Sequence, residues 1–153
     1  MLSQTAEYAL RAVVFLAEQG NKPHTIQQIA AATQVPAGYL AKVMQALARH
    51  ELVLSQRGLG GGFTLAIPAE KLTIYEVIQA VDPIRRITKC PLNNPAHERQ
   101  LCALHRRLDE AMEAVEQSFR ASTVAEMASA LIFSTGTNSQ APCAQEPGLA
   151  TER

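Results

Sequence analysis

An amphipathic helix that runs directly into a glycine-rich hairpin constrains this sequence more than any other feature. Over residues 36–49 the apolar side chains recur at steps of three and four, at Leu40, Val43, Met44 and Leu47. This spacing predicts a helix that packs one face against a core. Two β-prone runs follow, at residues 52–56 and 63–67, and the loop between them contains four glycines. The sequence therefore predicts a helix followed by a two-stranded hairpin with a flexible tip.

The outward face of this helix and the tip of the hairpin carry residues that suit contact with DNA. The long polar side chains of the helix are Tyr39, Lys42, Gln45 and Arg49. From a helix lying in a major groove, such side chains reach phosphates and base edges. The corresponding residues of the hairpin tip are Arg57, Gly58, Gly60 and Gly61. Because this tip is basic and flexible, it suits entry into a minor groove, and we interpret all eight residues as a candidate DNA-binding surface.

The segment before the helix separates this interpretation from a plainer one, in which residues 36–49 are an ordinary core helix and the tip is an ordinary loop. Residues 25–33 have the pattern of a short helix capped by Thr25, and residues 34–36 form a tight connection. A short helix, a turn and an amphipathic second helix make the helix-turn-helix pattern. The order of the elements therefore predicts a mainly α fold, with a winged helix-turn-helix domain over residues 1–83.

Charge and composition limit the classes of function. The 153 residues include 14 Lys or Arg and 14 Asp or Glu, so DNA binding has to come from a local basic surface. No apolar run approaches the roughly 20 residues of a membrane span, and no signal peptide is visible, so we expect a cytoplasmic protein without membrane contact. The glycines of the hairpin lack the strand-to-helix context of a dinucleotide site. We expect a regulator without a small-molecule substrate, and not an enzyme.

The C-terminal half predicts a dimer. Residues 98–122 form the longest predicted helix, with apolar positions at Leu101, Leu104, Leu108, Ala111 and Val115, followed by Ser118. The steps of three and four are those of a coiled coil, in a helix too long and too one-sided for one small domain to bury. We therefore expect a homodimer through this helix, which also suits a DNA site made of two symmetric halves.

The remaining segments complete the predicted organisation. Residues 73–81 have the pattern of a short helix that opens with a capping box. Residues 85–95 lack periodicity, and we assign residues 84–98 as a loop that carries the candidate ligand Cys90. Residues 99–133 contain the dimerisation helix and a short terminal helix, capped by Ser122 or Thr123. Small and polar residues dominate 134–153, so we expect a disordered tail.

Four residues that can bind metals lie within sixteen positions: Cys90, His97, Cys102 and His105. Cys102 and His105 are three residues apart near the start of the long predicted helix, so they share a face, and the loop of Cys90 can fold over them. Thiolate and imidazole ligands suit zinc or an iron-sulfur cluster. The alternative is a small buried Cys102 beside surface histidines. Cys143, in the predicted tail, is interpreted as a bystander.

Five short stretches match a known family: residues 7–11, 39–42, 52–55, 57–62 and 78–82. With them, most of the chain resembles the Rrf2 family of bacterial winged-helix transcription regulators, which includes the iron-sulfur regulator IscR, the nitric-oxide sensor NsrR and the iron regulator RirA. The resemblance implies a repressor that binds a palindromic operator as a homodimer and senses redox, nitric oxide or iron-sulfur status through an iron-sulfur cluster. The alternative is a cluster-free or zinc-stabilised regulator or interaction protein of the same fold.

The resemblance also implies part of a ligand set. Family members place three cysteines between the wing and the dimerisation helix; Cys90 matches the first, Cys102 the last, and His105 a histidine of IscR-like members. The middle cysteine is absent, and Ala96 and His97 stand in its place. The implied cofactor is therefore a 2Fe–2S cluster, with a 4Fe–4S cluster as the alternative.

The fourth ligand stays open between two residues. In NsrR-like members an acidic residue on the first helix of the partner completes the set, and Glu7 occupies the matching position. A two-cysteine member uses a histidine at the end of the second helix, where this chain has Thr33. The resemblance therefore implies Glu7 of the partner subunit as the fourth ligand, with His97 as the alternative.

Overall fold

The fold is mainly α with one small antiparallel hairpin, as the sequence predicts. The computed structural model describes residues 2–91 and 101–130. Within these two ranges the elements are, in order, α1 (Gln4–Glu18), α2 (Ile26–Thr33), α3 (Ala37–Arg49), β1 (Val53–Gln56), β2 (Gly62–Leu65), α4 (Ile74–Val81), α5 (Ala103–Ala121) and α6 (Val124–Ala130). None of these helices is both long and apolar enough to cross a bilayer.

Helix α1 lies at the centre of the molecule, in contact with α2, α3, α4, α6 and β2. The sequence predicts a helix over residues 3–19 with a one-sided apolar stripe, made of Ala6, Ala9, Leu10, Val13, Val14 and Ala17. The structure instead buries residues on most sides of the helix. The buried residues are Ala6, Ala9, Ala12, Val13, Val14, Phe15 and Leu16. Leu10 and Ala17, which the spacing places in the stripe, are only partly buried. A helix that neighbours surround on several sides needs no polar face, so its periodicity understates its burial.

Side-chain caps define where the helices begin. Thr25 and Gln28 form a capping box at α2, in which each side chain accepts a hydrogen bond from the backbone of the other residue. Thr73 and Glu76 form the predicted box at α4, with bonds of 3.2 and 2.8 Å. At α6 the cap is Thr123, which pairs in the same way with Glu126. Each cap accepts a hydrogen bond from a backbone N–H group that has no acceptor within the helix, and it stabilises the helix by about 1 kcal/mol.

The helix-turn-helix and its wing follow the predicted order. Helix α2 ends at Gln34, whose left-handed backbone turns the chain, and α3 begins directly after Pro36. Strand β1 pairs with β2 from Val53 opposite Leu65 to Gln56 opposite Gly62. Both strands are shorter than the predicted runs of 52–56 and 63–67.

Helix α5 begins later than the sequence predicts. The predicted helix starts at residue 98, but Leu101 and Cys102 are not helical, and residues 98–100 lie outside the described ranges. The extended backbone of Cys102, with ψ of 162°, makes it the N-cap. The apolar spacing continues through Leu101 across this cap, which is why periodicity places the start too early. The predicted residues 131–133 of the terminal helix and the tail at 134–153 lie outside the described ranges.

The faces of α5 are distributed in an unusual way. The face turned toward the rest of its own chain is partly buried and largely polar, with His105, Asp109, Met112, Glu116 and Phe119. The apolar stripe points outward instead, with Leu104, Leu108 and Val115 exposed by 63%, 47% and 42%. No residue of α5 is buried. An isolated chain therefore leaves this stripe in water, which favours a partner for α5.

Candidate metal centre and nucleic-acid interface

The predicted contact residues of α3 lie on its solvent face. Tyr39, Lys42, Gln45 and Arg49 are all exposed. Leu40, Val43, Met44 and Leu47 on the opposite face are at most 2% exposed. The predicted division of this helix into a core face and an outer face is confirmed, while contact with DNA stays a prediction.

Tyr39 has a second set of contacts that sequence patterns do not show. Its hydroxyl lies 2.5 Å from Oγ1 of Thr5, and its ring meets the ring of Tyr8 edge-on at 5.4 Å. Thr5 and Tyr8 belong to the first turns of α1. Tyr39 therefore joins the start of the predicted recognition helix to the start of α1, in addition to its predicted role at DNA.

The tip of the wing projects away from the core. Its exposed residues are Arg57, Gly58, Leu59 and Gly60. Leu59, which is absent from the predicted surface, is fully exposed. Gly61 has a structural reason of its own, because a Cβ there would lie 2.4 Å from the carbonyl oxygen of Gln56. Gly61 is therefore required by the turn, whether or not it also approaches DNA.

The base of the wing is fastened to the segment before α2. His24 and Phe63 exchange two backbone hydrogen bonds, of 3.1 and 2.8 Å. A Cβ at Gly62 would lie 2.5 Å from the carbonyl carbon and oxygen of His24, so a larger residue would push these segments apart. The wing is consequently fixed to the segment before α2, and β2 also contacts α1.

The structure brings three of the predicted ligands together at the start of α5. The ligand atoms of Cys90, Cys102 and His105 all lie within 4.8 Å of one another. Nδ1 of His105 is 3.1 Å from Sγ of Cys102 and 3.6 Å from Sγ of Cys90. Two thiolates and an imidazole form a donor set that fits zinc or iron. The described residues can therefore supply three ligands to a metal ion or cluster.

The N-terminus of α5 favours the thiolate form of Cys102. The pKa of this thiol lies below its ordinary value, chiefly because the backbone N–H of His105 donates a hydrogen bond to the sulfur. Cys90 and the backbone N–H of Leu104 act in the same direction, and burial opposes them. Since the thiolate is the form that binds metals, the cap position prepares Cys102 as a ligand. The predicted pair is thus a cap and its third helical residue, and not two residues within the helix.

Glu7 lies near the other end of α5. It forms an ion pair with Arg11 and lines a cavity of about 420 Å³ that also touches Ser118 and Phe119 of α5. Sixteen residues of a helix separate Ser118 from Cys102, which corresponds to about 24 Å. Glu7 of the same chain is therefore too distant to complete the cysteine site. Its predicted role as a ligand requires the partner subunit.

Thr33, which stands where a related two-cysteine protein has a histidine, and His97, the alternative fourth ligand, remain to be placed. Thr33 is buried, and its hydroxyl donates a 2.7 Å hydrogen bond to the carbonyl oxygen of Ile29, so it is occupied within α2. His97 lies outside the described residues, as does Cys143. The choice between Glu7 of the partner subunit and His97 stays a prediction.

Arg86 and Asp109 lie beside the site but are not among the predicted site residues. The guanidinium of Arg86 donates two hydrogen bonds to the carboxylate of Asp109, at 2.7 and 2.6 Å. The two residues are 23 positions apart, so no helical or strand spacing links them. The available signal is weak: an acid one helical turn after His105 and an arginine shortly before Cys90.

The structure has the features of a winged-helix regulator: α3 has an exposed outer face, the wing projects from the core, and a side-chain cluster lies at the start of the long helix α5. The family model described as Rrf2, iron-dependent transcriptional regulator, matches residues 2–130. The chain therefore belongs to the Rrf2 family of DNA-binding transcriptional regulators.

Individual relatives agree with this assignment. The transcriptional repressor NsrR of Streptomyces coelicolor is 28% identical over 131 residues, which cover 84% of this chain and 88% of that protein. The transcriptional regulator IscR of Sodalis glossinidius is 30% identical over 105 residues, covering 68% and 64%. The structure of CymR, the global cysteine regulator of B. subtilis, superposes with a TM-score of 0.71 at 23% identity, over 86% of this chain and 98% of that one, and shows the shared fold. The prediction of a regulator and not an enzyme is confirmed by these comparisons.

Proposed function

We propose that this protein is a homodimeric repressor, which binds a palindromic operator and senses redox, nitric oxide or iron-sulfur status through an iron-sulfur cluster. The observation that carries the proposal is the convergence of Cys90, Cys102 and His105 within 4.8 Å at the start of the helix that exposes an apolar stripe. The site thus lies on the element that is suited to join two subunits. The family description as an iron-dependent regulator supports the same assignment.

The ligands we propose are Cys90, Cys102, His105 and Glu7 of the partner subunit, with His97 as the alternative to Glu7. A cluster bound here supplies a reversible one-electron change, and imidazole ligation raises its potential relative to an all-thiolate site. Because the site has two cysteines where family members have three, we favour a 2Fe–2S cluster over a 4Fe–4S cluster. The role of the chain is to hold two thiolates and one imidazole at fixed positions and to bring in Glu7 of the partner subunit.

The proposed operator contacts lie on other elements of the same chain, α3 and the wing. Lys42, Gln45 and Arg49 face solvent from α3, and Arg57 faces solvent from the wing. A dimer through α5 presents two copies of this surface, as the two halves of a palindromic operator require. We propose that the protein acts in the cytoplasm. A change in where α5 begins relative to the Cys90 loop alters the relative placement of the two subunits. We propose that this change sets the affinity for DNA.

Anaerobic purification followed by iron and sulfide analysis tests the cofactor. We expect a brown protein with about two iron atoms per chain, and a different operator affinity after removal of the cluster. A colourless protein that binds zinc with the same ligands would replace the cluster by the zinc-stabilised alternative, which the S, S, N donor set also fits. Equal operator affinity with and without the cluster would remove the sensing role.

The fourth ligand is tested by Glu7→Ala, with His97→Ala as its counterpart. Loss of iron from Glu7→Ala at unchanged dimer mass supports the ligand from the partner subunit. Normal iron content in this variant together with loss in His97→Ala assigns the place to His97. Because Glu7 is an exposed residue of α1, we expect Glu7→Ala to fold.

A further inference from the structure

Asp109 links the helix of His105 to the loop of Cys90. It lies one helical turn after His105 on the same face of α5. Its Oδ1 accepts hydrogen bonds from Nε of Arg86 at 2.7 Å and from the backbone N–H of Ile87 at 2.9 Å, and its Oδ2 accepts one from Nη2 of Arg86 at 2.6 Å. The carboxylate is 19% exposed. The Asp109 side chain thus binds both the side chain of Arg86 and the backbone of Ile87 in the Cys90 loop.

The position of this contact limits where Cys90 can lie. Residues 83–88 are neither helix nor strand, so no ladder of backbone bonds sets the path of the loop. Ile87 is three residues before Cys90, and three extended residues span at most about 11 Å. A loop pinned at Ile87 therefore keeps the thiol of Cys90 within a short radius of α5. In the structure that thiol lies 3.6 Å from Nδ1 of His105.

Other acidic residues of α5 also meet Arg86, but less closely. Oε2 of Glu113 is 3.1 Å from Nη2 of Arg86, and Oε2 of Glu116 is 3.9 Å from its Nη1. Neither contact involves the backbone of the loop in the described structure, and the Glu113 side chain is 49% exposed. Asp109 alone among the three combines the two-pronged ion pair with the bond to Ile87.

We propose that Asp109 is a positioning residue of the metal centre, which holds Cys90 at ligating distance from His105 through Arg86 and Ile87. The proposal rests on the proposed function, because it takes Cys90, Cys102 and His105 to be ligands. Residues that orient metal ligands without touching the metal typically change the affinity for the metal by 10-fold to 100-fold when they are replaced. The same range is expected here.

Titration of the reduced, metal-free protein with Co²⁺ tests the proposal, with a chelator as competitor. For Asp109→Asn we expect the affinity to fall about 10-fold to 100-fold. We also expect the thiolate-to-cobalt absorbance per bound ion to fall by about half, since one of the two thiolates no longer binds. A purely structural role would lower stability but leave this absorbance per bound ion unchanged.

Glu113→Gln is the matched control, because it removes the same charge from the same helix and contacts the same arginine. We expect its Co²⁺ affinity to stay within about threefold of the wild type. Arg86→Gln breaks the same ion pair from the side of the loop. It should show the same loss of Co²⁺ affinity and absorbance as Asp109→Asn, and it tests the proposal even when Asp109→Asn folds poorly.

The outcomes separate this proposal from the proposed function. Wild-type affinity and absorbance in both Asp109→Asn and Arg86→Gln overturn the positioning role while the metal site stands. An equal loss in Glu113→Gln also overturns it, since net charge would then be the cause. A wild-type protein without thiolate-to-cobalt absorbance overturns the metal site itself.

Discussion

The two ends of α5 are attached to the rest of the chain in different ways. At its C-terminal end the attachment includes main-chain hydrogen bonds: the N–H of Ile74 donates to the carbonyl oxygen of Ser122 at 3.0 Å, and the N–H of Val124 donates to that of Leu72 at 2.8 Å. Arg120 also stacks over the ring of Tyr75. Val124 is fully buried in the core there. At its N-terminal end the attachment is made by side chains, through the Cys90, Cys102 and His105 cluster and the Asp109–Arg86 pair.

This difference separates a fixed end from a chemically sensitive end. Backbone hydrogen bonds and apolar burial do not depend on protonation, oxidation state or metals. Thiols depend on all three, an imidazole depends on protonation and metals, and an ion pair depends on protonation. A change at the N-terminal end can therefore move the start of α5 while its C-terminal end stays attached to the DNA-binding domain. Variants at the two ends test this comparison.

The largest effect is expected from Cys102→Ala, which removes a ligand from the N-terminal end. We expect complete loss of cluster absorbance after anaerobic reconstitution. The helix content of the metal-free protein should stay close to the wild type, because the Cys102 side chain is only partly buried. Iron and sulfide analysis with circular dichroism measures both quantities. A full content of iron and sulfide in this variant would show that Cys102 is not a ligand.

Val124→Ala probes the C-terminal end of α5, where we expect a loss of stability and an unchanged affinity for metal. Removing two methyl groups from a fully buried valine should lower the free energy of unfolding by about 2 kcal/mol. Urea denaturation measures this change. The Co²⁺ affinity of the folded protein should match the wild type, and a large drop in that affinity would break the proposed separation of the two ends.

Val115→Ala is the matched control for this variant, since it makes the same substitution on the exposed stripe of α5. Val115 is 42% exposed in the single chain, so its replacement should act on subunit association. We expect dissociation at higher protein concentration in sedimentation experiments. A fully dimeric variant would place the subunit contact elsewhere.

Lys42→Ala tests DNA binding on α3, outside both attachments of α5. If Lys42 contacts a phosphate, operator affinity should fall about tenfold, with a similar loss on unrelated DNA and a flatter dependence on salt. The ratio between cluster-bound and cluster-free affinities should not change. A changed ratio would show that α3 takes part in sensing, for which the contact of Tyr39 with Thr5 offers a route.

The smallest effect is expected from pH. The hydrogen bonds from Arg86 hold the pKa of the Asp109 carboxyl below its ordinary value. A carboxyl with a lowered folded-state pKa stabilises the protein at neutral pH, and this contribution is lost as the pH falls through that value. We expect the urea midpoint of the metal-free wild type to fall more between about pH 5 and pH 3 than that of Asp109→Asn. Parallel curves would contradict the ion pair at the sensitive end.

Much of the fold could be predicted because its signals are local. The core face of α3, the caps at Thr25 and Thr73 and the antiparallel wing each depend on residues within a few positions of one another. The late start of α5 could not be predicted, because cysteine is not among the residues that usually cap helices and the apolar spacing continues across Cys102.

The convergence of Cys102 and His105 could be predicted from the sequence, because the two residues are three positions apart near the start of one helix. The residues that support the cluster could not be predicted. Asp109 and Arg86 are common surface residues, and nothing in the sequence pairs them.

By itself, the sequence determined which segments form helices, which face of α3 enters the core, and which side chains can bind a metal, since these follow from spacing and from the chemistry of single residues. Only the tertiary structure decided that α5 turns its polar face inward, that Glu7 lies beside the end of α5 opposite Cys102, and that Asp109 reaches the loop of Cys90. Such contacts depend on how a loop closes between distant segments, and the path of a loop is set by the packing of the whole chain rather than by its own residues.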